Sequence, residues 1–221
     1  MDNIYPLGFS YKNGKAFLDE ISLERLIEQY GTPLYVVSKK TIVNACEKFT
    51  KPLKKYYQNS EVLYAAKANL TVGIAQLMNQ HGMSIDVSSG GELYTAIKAN
   101  IDPKKIYFHG NNKTLPELEL AINYGVTIII DNLQELKNII KLSKQRVVEV
   151  MIRLKPEIEA HTHEYIKTGQ LDSKFGIVKE NIEEFIQLIK ANQVIHFKGI
   201  HSHIGSQIFD IKPYFELIDI L

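Results

Sequence analysis

VTIIIDNLQELKNIIKLSKQRVVEVMIRLK, residues 126–155, is the stretch that decides the fold. A short apolar run ends at Asp131, an amphipathic segment over 132–144 begins at a cap residue, and a second apolar run starts at 147. This is one strand, one helix and the next strand. The same rhythm extends in both directions, with runs VLYAAK from 62, SIDVSS from 84, IYFHG from 106 and HFKGIHSHIG from 196. Helices are predicted between them at 71–81, 90–100, 114–124 and, after a gap, 179–192. LYVVS from 34 reads as an earlier β-rich run leading into the series.

Runs this apolar suit parallel strands covered on both faces, and alternating βα units build either a doubly wound sheet or a (β/α)8 barrel. The polar residues discriminate. Lys67, Asp86 with Ser88 and Ser89, His109, Asp131, Arg153 and His203 all fall at or near the C-terminal ends of predicted strands. A barrel gathers those ends on one face, whereas an open sheet spreads them along a crevice. The expectation is an α/β TIM barrel. Only six βα units are visible, the last in KPYFELIDIL, so a truncated chain is expected, because six strands leave two unpaired edges.

Ahead of the rhythm, FSYKNGKAFLDEISL predicts a β-hairpin at 9–19 around Asn13-Gly14 and a helix over 22–30. Ser22 caps that helix without a full capping box, since Arg25 stands where an acid is wanted; Gly31 and Pro33 end it. The expected domains are 1–33, a hairpin and helix belonging to a β-domain, and 34–221, the barrel portion.

Composition limits the function. The 221 residues carry 26 Lys and Arg against 25 Asp and Glu, a net charge of +1, which provides no field for nucleic acid or an anionic membrane. At 45% hydrophobic and 23% charged, the balance is that of a globular protein. One cysteine, Cys46, excludes internal disulfides and any Cys-built metal site. No apolar run approaches the roughly 18 residues of a membrane span, so a cytoplasmic protein is expected.

Lys67 ends a strand behind an Ala-Ala pair, where partial desolvation would favour the neutral amine that condenses with an aldehyde or ketone. Equally, it could snorkel to solvent. His201 and His203, two residues apart on one strand face, could join His161 and His163 in a four-histidine metal site, although no carboxylate is fixed by spacing to support one. Arg153 is one of three arginines among 23 lysines, suggesting a need for a planar, permanent charge. The connection 156–176 has little periodicity and reads as a lid or binding loop.

YGTPLYVVS, YAAKAN, SIDVSSGGEL, YFHGNNK, EAHTHEYIKTGQLDSKFGI and HSHIGSQ occur in this order. With them the chain resembles the diaminopimelate decarboxylases, within the ornithine, lysine, arginine and diaminopimelate decarboxylase family of fold type III. HTHEYIKTGQ with DSKFG narrows the resemblance; YAAKAN and HIGSQ alone mark the wider family. The resemblance implies pyridoxal 5'-phosphate (PLP) as cofactor, a barrel of the alanine racemase type with a β-domain, and a homodimer with active sites at its interface. The implied reaction is decarboxylation of meso-2,6-diaminopimelate to L-lysine, with sibling amino-acid decarboxylation or a non-catalytic PLP-binding remnant as alternatives.

Carried over by residue, Lys67 holds PLP covalently, His203 stacks on its ring, and Ser206 lies near its phosphate. Gly205 lets backbone amides approach an anion. Asp86 lies close to the Lys67 linkage, with a local backbone cap as its other reading. Glu92 sits in the first helical turn after the SSGGEL glycines. Arg153 stands beside the cofactor unless it serves a structural ion pair, and His109 lines the pocket unless it is satisfied in the core. Lys174 resembles a dimer-contact lysine. The family's later glutamate segment, glycine-rich phosphate turn and C-terminal β-domain are not in these residues, which argues against catalysis by them alone.

Overall fold

In the computed structural model, residues 5–156 and 174–221 are described. The described residues form two compact units: 5–62 with 77–83, and 63–76 with 84–156 and 174–221.

The first unit opens with β1 (Phe9–Lys12) and β2 (Lys15–Leu18), paired antiparallel with Phe9 opposite Leu18. Asn13 and Gly14 take φ of 51° and 75°, the positive pair that a tight hairpin turn requires. A two-residue strand not foreseen, β3 (Ile21–Ser22), adds to β2. It leads into α1 (Leu23–Tyr30), which ends at Gly31 with φ 76°. Ser22 occupies the N-cap, but its side chain makes no capping hydrogen bond.

LYVVS does not form a strand. Among the described residues it pairs with no other strand, and Tyr35 is 99% exposed. Its last residue, Ser38, instead caps α2 (Lys39–Tyr56), a helix absent from the sequence reading. Ser38 Oγ accepts from Thr41 N at 3.0 Å and donates to the Asp19 carboxylate at 2.8 Å. Pro52 lies inside this helix and removes one donor, and this break in the pattern hides the element. Cys46 is buried on α2 with its Sγ 3.5 Å from Met78 Sδ; burial pushes its thiol up, as for an inert packing cysteine.

The second unit is a six-stranded sheet: β4 (Leu63–Ala65), β5 (Ser84–Val87), β6 (Ile106–Phe108), β7 (Thr127–Ile130), β8 (Val148–Leu154) and β9 (Ile195–Ser202). Every neighbouring pair is parallel, and the spatial order is the chain order. A doubly wound sheet reverses its order at a switch point. None occurs here, so this is a run of consecutive barrel strands, and the barrel is incomplete.

After β4 comes α3 (Val72–Gln80); α4 (Gly90–Lys98), α5 (Leu115–Tyr124), α6 (Leu133–Ser143), α7 (Ile182–Lys190) and α8 (Lys212–Ile220) follow the later strands. Leu93 and Ala96, Leu118 and Ile122, Leu136 and Ile139, and Phe185 and Ile189 recur three or four residues apart and are buried, giving each of α4 to α7 one apolar stripe. Each large side chain so buried contributes about 1.5–3 kcal/mol. All four residues of β7 are buried, as expected for a strand covered on both faces. No described helix is long and apolar enough to cross a membrane.

Candidate active site

The strand ends build the site. Beyond β4 the chain turns through a short 3-10 segment, Ala66–Ala68, which carries Lys67. Asp86 is the third residue of β5, and His109 follows β6, its N–H donating to Val87 O at 2.7 Å. Arg153 and His201 are the penultimate residues of β8 and β9, opposite each other in register. His203 and Ser206 lie just beyond. Lys67, Asp86, His109, Arg153, His203 and Ser206 all line one cavity of about 600 Å³.

Two expected positions do not line it. Glu92 turns its carboxylate back to Ser88, accepting from Ser88 N at 2.7 Å and Ser88 Oγ at 3.1 Å, so it braces the loop after β5. Gly205, at φ 135°, is likewise off the wall. The expected partial desolvation of Lys67 is not met: the residue is exposed, because the 3-10 turn carries it past the apolar end of β4.

Arg153 is buried, with Nη1 3.4 Å from Asp131 Oδ1 and its guanidinium 4.5 Å from the Phe175 ring centre. Burial lowers its pKa and Asp131 opposes the shift; a guanidinium so placed stays charged. The imidazoles beside it are driven neutral. Burial first, then His109, Arg153 and His203, bring His201 down to about 3. For His203 burial leads again, Arg153 and Lys67 add to it, and Asp86 opposes, giving about 4. The rings of His109 and His201 lie 4.6 Å apart at 58°. His109 Nδ1 is 3.8 Å from Asp86 Oδ2.

Three buried polar atoms of this cluster have no hydrogen-bond partner among the described residues: Asp86 Oδ1, His109 Nε2 and His201 Nδ1. Such atoms are uncommon in a folded protein and mark a place where a ligand completes the bonding. His161 and His163, half of the conceivable histidine metal set, lie outside the described residues, as does most of the 156–176 connection. Among the described residues no three His, Cys, Asp or Glu side chains converge to hold a metal ion.

Comparison with known proteins gives this geometry a family. The model of the pyridoxal-dependent decarboxylase pyridoxal binding domain matches residues 19–220. The chain belongs to that family. Diaminopimelate decarboxylase of Synechocystis is 40% identical, with 99% of this chain and 49% of the relative covered. That of Bacillus methanolicus is 43% identical, with 96% and 50% covered. The chain thus spans about half the length of these relatives. A crystal structure of diaminopimelate decarboxylase from M. jannaschii, 33% identical, superposes with a TM-score of 0.85 over 96% of this chain and 52% of that one, and the same protein is known in a complex with L-lysine.

The cavity fits the cofactor of this family. It offers a primary amine at the rim, unpaired buried polar atoms on the wall and a buried cation, within a volume suited to a small ligand. His201 was weighed only as a metal ligand, although its two-residue spacing from His203 already placed both at one strand end. Phe175 and Lys113 stand in the DSKFG and YFHGNNK stretches, but their packing against Arg153 and Glu135, each 22 residues away, left no legible signal.

Proposed function

We propose that this chain is the cofactor-binding portion of a diaminopimelate decarboxylase, converting meso-2,6-diaminopimelate to L-lysine with PLP. One observation carries the reading: Lys67, Asp86, His109, Arg153 and His203, from the ends of β4, β5, β6, β8 and β9, share a single cavity in a chain of the pyridoxal-dependent family. Relatives 40% and 43% identical and the L-lysine complex of the M. jannaschii enzyme support this substrate class.

Bound PLP supplies the electron sink that makes loss of carbon dioxide feasible. The chain's residues set the conditions. Lys67 presents its amine to the cavity and would be the residue that holds the cofactor covalently through its aldehyde carbon. His203, kept neutral by burial and the nearby cations, offers an uncharged ring face for stacking. Asp86 Oδ1 and His201 Nδ1 are unsatisfied groups that a ligand can bond. Arg153, held by Asp131 and Phe175, gives the wall a fixed positive charge that favours anionic groups.

The same reading makes the natural protein a cytosolic homodimer with active sites at its interface, and divides this chain into 1–33, part of a β-domain, and 34–221. The separate three-stranded sheet of β1, β2 and β3 supports an N-terminal β-element, although the compact unit that holds it runs on to Val62. The test is borohydride reduction of the natural full-length protein with PLP, followed by peptide mapping and carbon dioxide release from meso-diaminopimelate. Label on Lys67, loss of label and turnover in Lys67→Ala, and little turnover with ornithine are expected. Label on another lysine, or none, overturns the reading.

A further inference from the structure

The loop from β6 to α5 carries His109, Asn111 and Asn112 into the cavity wall. It ends at Lys113, whose side chain is only 1% exposed. Its ammonium donates to Gly110 O at 2.6 Å and Ile129 O at 2.9 Å, and lies 2.7 Å from Glu135 Oε1. The two carbonyls take two of the ammonium's three N–H donors, and Glu135 Oε1 faces it as a counter-ion at ion-pair distance, making no hydrogen bond among the described residues. Gly110 belongs to the loop itself, Ile129 to β7 and Glu135 to α6. The ring of Phe108, the last residue of β6, lies 5.6 Å from the same nitrogen.

Gly110 makes this arrangement possible. Its φ of 106° turns its backbone in a way that L side chains rarely adopt, and an added Cβ would sit 2.9 Å from Ser88 O. The loop is therefore pressed against the end of β5 on one side and bound through Lys113 to β7 and α6 on the other. Among the described residues the Lys113 ammonium bonds to none of those assigned to chemistry, yet it ties down the backbone on which His109 and the two asparagines stand.

We infer that Lys113, with Glu135 as its counter-ion, is a positioning residue: the buried pair holds the 109–112 loop in the shape that receives the cofactor and substrate. The inference rests on the cofactor reading of the cavity. Groups that complete a site must be held within about half an ångström. An ion pair in an apolar interior is a costly way to gain stability alone, since an apolar replacement of similar volume is often neutral or better.

The test uses the natural full-length protein and two readouts, the PLP dissociation constant from cofactor absorbance and the thermal midpoint. Lys113→Met keeps the volume and removes the donors, Glu135→Gln is the milder variant, and Lys198→Met, which breaks the pair with Glu149 away from the C-terminal strand ends that carry the site, is the control. Lys113→Met is expected to weaken PLP binding about 10- to 100-fold, the size associated with small misplacement of a site. Glu135→Gln should follow in the same direction, and the control should lower the midpoint without changing the constant. Unchanged PLP affinity in folded Lys113→Met or Glu135→Gln overturns the positioning role, even if the midpoint falls. A wild-type protein that takes up no PLP overturns both this inference and the cofactor reading.

Discussion

At the scale of single residues, two features have measurable consequences. Gly110→Ala forces a Cβ against Ser88 O in a conformation unfavourable to L residues, and is expected to cost about 1–3 kcal/mol in chemical denaturation. The second concerns pH. His201 and His203 have folded values near 3 and 4, below the ordinary 6.5, so between these limits the unfolded chain binds more protons than the fold. Stability therefore falls as pH drops through 6.5 toward 4, and these groups contribute nothing to its slope well above 6.5. Glu135 runs the opposite way: burial raises its value above that of an ordinary carboxyl despite the Lys113 ammonium beside it, so its contribution to stability grows as pH falls. Urea midpoints between pH 7.5 and 4.5 should show a shallower acid decline for His201→Asn and a steeper one for Glu135→Gln. Lys67, Asp86, His109, Arg153 and His203 could be read as a set because strand-end position is encoded locally. Lys113 could not, since a lysine in a polar loop looks solvated until its partner 22 residues away is known.

Among the elements, α5 shows how a helix start serves the site. Thr114 and Glu117 form a reciprocal cap, with Glu117 Oε2 accepting from Thr114 N and Oγ1 at 2.8 Å each. Glu117 Oε1 also accepts from Gly90 N at 2.6 Å, tying the start of α4 to the start of α5. Burial opposes ionisation, but these bonds and Lys113 outweigh it and leave the carboxyl below its usual value. Thr114→Ala should cost about 0.5–2 kcal/mol, the usual price of a lost cap. Glu117→Ala should cost about 1–3 kcal/mol, because it strands the Gly90 donor too; denaturant titration of both variants checks the order. The hairpin was legible because Asn13-Gly14 satisfies a steric requirement within two residues. The helix α2 was not, because Pro52 interrupts its pattern and Ser38 was absorbed into an apparent strand. LYVVS has the β-branched content of a strand but no partner, and composition cannot supply one.

For the molecule as a whole, sequential parallel pairing has a cost. Among the described residues β4 and β9 each have one neighbour, and Phe197 on β9 is 42% exposed. Unpaired edges with apolar side chains template association. The 221-residue chain on its own is expected to self-associate with concentration in sedimentation velocity, and Phe197→Lys to reduce that association; a monomer at every concentration would contradict this. The barrel was legible at this scale because six polar strand ends implied one shared face, which the unreversed strand order bears out.

That order also bears on how the molecule is made. Tyr64 meets Ile85, Asp86 meets Tyr107 and Phe108 meets Ile128, so each strand through this region finds its partner only 20 or 21 positions further along. A nascent chain leaving the ribosome can thus lay each new strand on the one already out, growing the sheet in the direction of translation without waiting for distant sequence.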